Sequence, residues 1–138
     1  MSTVEQKLSE RGLSLPEVAN PVAAYVPAVV TGHYVQTSGQ LPLVEGKLQV
    51  TGKVGAEVEA EAAKKEAEKA TLNALAAIKA QIGDLDRITR VVKVTGYVAS
   101  APEFTAQPGV INGASELLGD LLGEAGSHSR AAVGVSAL

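Results

Sequence analysis

The chain predicts an α+β domain on three observations. Short runs of β-branched residues stand near both ends, a long Ala/Glu/Lys tract separates them, and a leucine-spaced segment precedes the last run. The order is strand, strand, long helix, strand, helix, strand. At 138 residues and 46% hydrophobic content, one domain spanning 1–138 is expected.

Each element has its own signal. "TVEQKLSERGL" offers Ser2 or Thr3 as a cap, Val4 and Leu8 one turn apart and Gly12 at the end, so residues 1–15 read as an N-terminal helical appendage. "AYVPAVV" and "YVQTSGQ" are strand runs around Thr31, Gly32 and His33, a tight hairpin turn, with Pro27 marking an edge or bulge. A second turn falls at Glu45 and Gly46. From Ala56 to Ile82 there is neither Gly nor Pro, and Gly83 follows as a cap. Glu57, Glu59 and Glu61 gather at its N-terminal end, Glu61 stands four residues before Lys65, and Thr71 or Leu72 with Leu75, Ile78 and Ile82 form a buried stripe.

Residues 87–99, "RITRVVKVTGYVA", alternate as a strand, with Val92, Val94, Gly96 and Val98 on one face and Val91, Lys93, Thr95 and Tyr97 on the other. Pro108 to Leu122 predicts a second helix through Leu117, Leu118, Leu121 and Leu122. "RAAVGVSAL" closes with another strand. Two helices can cover only one side of such a sheet. The other, with Tyr97, Thr95 and Val91, is too apolar for water, which predicts a homo-oligomer that covers it.

Composition excludes several functions. The core must be built from Ala, Val and Leu, since the chain has one Phe, three Tyr and no Trp. A net charge of −3 gives no footprint for nucleic acid or an anionic membrane. Without Cys there is no disulfide, thiolate nucleophile or CxxC metal knuckle. Neither a signal peptide nor a membrane-spanning run is present, so a soluble cytoplasmic protein is expected.

The inventory of reactive groups is short. His33 lies in the hairpin turn and His128 in "GEAGSHSR", with no acidic cluster beside either, so no metal site is expected. His128 reads as a polar loop residue that could act as an acid or base only through its nearness to Arg130. Ser38 lacks a GxSxG elbow and is better placed to hydrogen-bond than to attack. The glycines of "TGKVG" and "PGVING" match neither a dinucleotide nor a Walker loop. Arg130 opens a strand after a turn, where its guanidinium could hold a carboxylate through two parallel bonds or serve as an ordinary surface charge.

"YVQTSGQLPL", "NALAAIKAQIGDLDRITRVVKVTGYV", "INGASELL" and "SRAAVGVSAL" together resemble the RidA/YjgF family of enamine/imine deaminases, in the same order and nearly end to end. The resemblance rests chiefly on Thr37 to Pro42 and Arg130 to Val135. It implies a chorismate-mutase-like fold: a mixed sheet packed by two helices, with the sheets forming a central barrel in a homotrimer and ligand clefts between subunits. It further implies that Arg130 holds the carboxylate of a small substrate, that Tyr25, Ser38, Gly39 and Asn112 line the cleft, and that no cofactor takes part. The implied reaction is that of a 2-iminobutanoate/2-iminopropanoate deaminase. The water's proton acceptor is implied to be the backbone carbonyl of Ala132 with a glutamate on a further strand.

The chain departs from that pattern in places. Ala23 and Ala24 stand where the family has Gly-Pro before the tyrosine, Ala132 replaces a frequent Cys, and the stretch from Phe104 to Asn112 is longer. The sequence stops at Leu138, ahead of the glutamate-bearing strand, so the expectation is either further chain or another way of activating water. Three functions fit these residues: the deaminase, a trimer that binds a small carboxylate as a sensor, and, least favoured by the charge balance, a ribonuclease or translation inhibitor.

Overall fold

The structure, a computed structural model, describes residues 2–138; Met1, the first residue of the expected N-terminal appendage, lies outside the described residues. Three α-helices and three two-stranded sheets make an α+β fold. In order these are α1 (Thr3–Glu10), β1 (Ala28–Thr31), β2 (Tyr34–Thr37), β3 (Leu43–Val44), β4 (Lys47–Leu48), α2 (Ala60–Ile82), β5 (Lys93–Ala99), α3 (Gln107–Leu122) and β6 (Ser129–Val135). β1–β2 and β3–β4 are antiparallel hairpins, and β5 and β6 pair in parallel. The expected single mixed sheet is therefore present in pieces. Antiparallel and parallel pairings both occur, but no ladder joins the first hairpin to β5–β6 among the described residues.

α1 is tied into the body at its N-terminal end. Ser2 and Glu5 form a capping box, and the Asp86 carboxylate accepts the Thr3 and Val4 N–H groups at 2.7 and 3.1 Å. Val4 and Leu8 are buried with Leu72, Leu75, Leu85, Leu117, Leu118 and Leu121 in one core cluster. The second cluster, around Val54, Val58, Ala63, Val98, Val110 and Ile111, joins the start of α2 to α3 and β5.

Several boundaries differ from the sequence expectation, each for a local reason. The first strand begins only after Pro27, so Tyr25 sits in a bend before it. α2 starts at Ala60 because residues 54–58 are held elsewhere: Val54 bonds across to the end of β5, and the Glu57 carboxylate accepts the Lys53 N–H at 2.8 Å. β5 is shorter than residues 87–99, since Leu85–Arg87 form a 3-10 turn and Val91 packs on the first core cluster instead of joining the open face. The charged half of α2 is paired differently too: Lys64 reaches Glu116 on α3 at 3.0 Å, and Glu66 binds Lys69.

Two glycines set the spacing of the layers. A Cβ on Gly113 would stand 2.0 Å from the Lys64 carbonyl oxygen, and one on Gly96 would stand 2.4 Å from Ile111 side-chain carbons. Glycine weakens a helix interior by about 1 kcal/mol relative to Ala. At position 113 it lets α3 cross α2 in backbone contact, which fixes where Asn112 and Ser115 sit above β5 and β6.

Candidate functional site

β6 alternates so that Arg130, Ala132 and Gly134 face the helices, opposite Val94, Gly96 and Val98 of β5. Asn112 and Ser115 lie one turn apart on the facing side of α3, so helix and strand periodicities converge on one spot. There Arg130 Nη1 donates to Asn112 Oδ1 at 2.7 Å and to Ser115 Oγ at 3.2 Å. Among the described residues no carboxylate pairs with Arg130, so its charge is held by neutral groups and stays available to an anion.

Ser115 also meets His128, whose Nε2 lies 2.8 Å from Ser115 Oγ while its Nδ1 lies 2.6 Å from the Gly126 carbonyl oxygen. A carbonyl only accepts, so Nδ1 carries a proton; in the neutral ring Nε2 then accepts from Ser115. His128 also lines a groove of about 430 Å³ with Arg90, Val91, Val92, Ser127 and Ser129. Ala132 is half-buried beside the second core cluster, opposite Gly96.

The other expected residues gather elsewhere. Ser38 Oγ donates to the Val26 carbonyl at 2.5 Å and its N–H to the Pro27 carbonyl at 2.8 Å, which holds the bend carrying Tyr25 against the end of β2. Tyr25 is 46% exposed. Gly39 follows in the same irregular segment, with space for a Cβ around it. No hydrogen bond among the described residues links this group to Arg130. On one chain the expected residues thus fall into two separate groups, Tyr25–Ser38–Gly39 and Arg130–Asn112.

Sequence reasoning missed two positioning residues. Asn73, only 2% exposed, donates through Nδ2 to the Leu41 and Leu43 carbonyls at 2.9 and 3.0 Å. It fastens the segment after Gln40 to α2, and its signal was an amide inside an otherwise apolar helical stripe. Ser115 was missed as well; its three-residue spacing from Asn112 puts both on one helix face and the two-residue spacing of His128 and Arg130 puts both on one face of an extended segment, but that the two faces meet is set by the packing of α3.

Hydrogen bonding from the Thr3 and Val4 amides holds the Asp86 carboxyl below its ordinary range, and the Lys79 ammonium does the same for Glu5. Among the described residues there is no cluster of three or more His, Asp or Glu that could hold a metal ion, and no helix is long and apolar enough to cross a membrane.

Residues 5–136 match the family described as "YjgF/chorismate_mutase-like, putative endoribonuclease", and the chain belongs to that family. Protein TCP17 of Trypanosoma cruzi is 40% identical over 136 residues, which are 98% of this chain and 85% of that protein. The Agrobacterium tumefaciens protein Atu1372, described as of unknown function, superposes with a TM-score of 0.92 at 47% identity, over 99% of this chain and 84% of that one. A Shewanella oneidensis MR-1 protein described as a putative endoribonuclease superposes with a TM-score of 0.95 at 36% identity, over 99% and 91%.

Proposed function

We propose that the protein is an enamine/imine deaminase, hydrolysing 2-aminoacrylate and 2-iminopropanoate-type intermediates to 2-oxo acids and ammonia. The observation that carries this reading is the Arg130 guanidinium, anchored through Nη1 on Asn112 and Ser115 with no carboxylate among the described residues to neutralise it. The remaining N–H groups of such a fork match a substrate carboxylate in two parallel bonds, and a charge-assisted contact of that kind is worth about 1.5–3 kcal/mol. For a ligand of a few heavy atoms that is enough to fix the electrophilic carbon in place for water, and most of the acceleration would come from that positioning.

The two groups would be half-sites completed between subunits of a homotrimer, with Tyr25, Ser38 and Gly39 of one chain facing Arg130 and Asn112 of its neighbour. Support for assembly comes from the open side of the strands, where Val29, Tyr34, Tyr97 and Val133 are exposed; Tyr97 alone is 57% exposed. The ribonuclease suggested by the family description and by the Shewanella relative finds less support, because one arginine among neutral partners in a chain of net charge −3 makes no phosphate track.

The test is a coupled assay in which a pyridoxal-phosphate dehydratase generates 2-aminoacrylate and pyruvate release is followed above the spontaneous rate. The wild-type chain should raise that rate and Arg130→Ala should remove the gain. No gain from wild-type protein that binds pyruvate would refute the deaminase and leave a carboxylate sensor. Native mass spectrometry should give a trimer; a monomer would refute the shared cleft.

A further inference from the structure

We propose that Ser115 and His128 form a proton relay serving the Arg130 site, in which Ser115 touches the attacking water and His128 stores its proton. The inference rests on the deaminase reading. It supplies the proton acceptor that reaction needs from residues within one chain.

The chain of bonds has a fixed direction. Gly126 can only accept, so His128 Nδ1 is the donor and Nε2 of the neutral ring is the free base. Ser115 Oγ–H then donates to Nε2, while Arg130 Nη1–H occupies one of the two Oγ lone pairs. The second lone pair has no partner among the described residues, so Ser115 can accept one further N–H or O–H. Its position is one hydrogen bond from the guanidinium that would hold the substrate carboxylate, so a water bound there lies beside the adjoining imine carbon.

The proton count closes. Attack of water on the protonated imine forms the C–O bond, and the C=N π pair becomes the amine lone pair. The proton lost by the water passes to Ser115 Oγ as the serine's own proton passes to His128 Nε2. On collapse the relay runs backwards: the imidazolium's proton reaches the amine nitrogen, the C–N bond breaks with its electrons on the departing ammonia, and the hydroxyl proton is released as the C=O forms. His128 returns to its neutral tautomer. General base catalysis of this type contributes roughly 10²–10⁴-fold.

Charged groups near the ring are Arg130 on its own strand, Arg90 in the shared groove, Lys93 opposite Ser129 in the ladder, and Glu124 in the turn that presents Gly126. Glu116, next to Ser115, pairs with Lys64. The charge around the ring is therefore mainly positive.

The experiment measures kcat and KM against pH for the full chain, with 2-aminoacrylate generated in situ. His128→Gln should lower kcat by roughly 10²-fold with little change in KM and abolish the loss of activity on the acid side, while Ser115→Ala should lower kcat to a similar extent and also raise KM, since it frees one anchor of Arg130. Ser115→Thr, which keeps the hydroxyl, should restore part of the rate. Arg130→Lys should raise KM and keep the acid limb. A His128→Gln enzyme with wild-type kcat and an unchanged acid limb would overturn the relay alone, whereas an inactive wild-type chain would remove the deaminase and the relay with it. Circular dichroism checks each fold, and if His128→Gln does not fold, wild-type kcat in Ser115→Ala overturns the relay by itself.

Discussion

Replacing Asn73 by Asp changes one NH₂ for one oxygen, keeps the side-chain volume, and so isolates the two donors that hold the segment following Ser38 and Gly39. Asn73 is almost wholly buried and bonds the Leu41 and Leu43 carbonyls at 2.9 and 3.0 Å. At about 1 kcal/mol net for each bond, truncation by Asn73→Ala should cost about 2 kcal/mol. Asn73→Asp should cost more at neutral pH, because its carboxylate would face two acceptors in a site with little water. Burial and those acceptors raise the new carboxyl's pKa in the folded state above its unfolded value. The penalty is therefore largest above the folded pKa and shrinks as pH falls through it, since the protonated acid regains one donor.

Urea denaturation at fixed protein concentration reads this directly. With a slope of about 2 kcal/mol per molar urea, Asn73→Ala should lower the midpoint by roughly 1 M, and Asn73→Asp by more at pH 7 but less than Ala near pH 4. An Asn73→Asp midpoint within about 0.25 M of wild type at pH 7, equivalent to roughly 0.5 kcal/mol on the same slope, would refute the clamp.

Three other outcomes follow from the geometry. Gly113→Ala forces a methyl into the Lys64 carbonyl, where backbone must move; a loss of about 1–3 kcal/mol in thermal or urea unfolding is expected, with weaker pyruvate binding in calorimetry because Asn112 shifts with α3. The depressed pKa values of Asp86 and Glu5 mean that the stability they contribute is present above the unfolded carboxyl range and is lost as pH falls through the folded values; protection factors of the α1 amides, corrected for intrinsic exchange, should fall on acidification, and Asp86→Asn should already show low protection at pH 7 with less acid dependence. Glu45 is a non-glycine residue at φ 50, followed by Gly46 at φ 77, so Glu45→Asn should raise stability by roughly 0.5–1 kcal/mol, measured as an increase in Tm.

Much of the architecture was legible because periodicity is a local property. The Gly-free tract and its glycine cap placed α2 within four residues of its true start, and the leucine spacing placed α3 within one. The failures came where a partner distant in sequence decided the backbone. Residues 56–59 looked helical but are held by the Val54–Val58 bridge beside the end of β5, and Val91 looked like the outer face but is drawn into the core by the turn before it. Of the site, Arg130 and Asn112 could be named from the motif, yet nothing local says that they touch.

From the order of its residues alone the chain determined its elements, its all-aliphatic core and the strand position of Arg130, since propensity, caps and alternation act over a few neighbours. The tertiary structure alone decided that α3 approaches closely enough, through Gly113 and Gly96, for Asn112 and Ser115 to grip that arginine and for Ser115 to reach His128. Hydrogen bonds form only within about 3 Å, and that distance is set by how backbones pack, which no short stretch of sequence encodes.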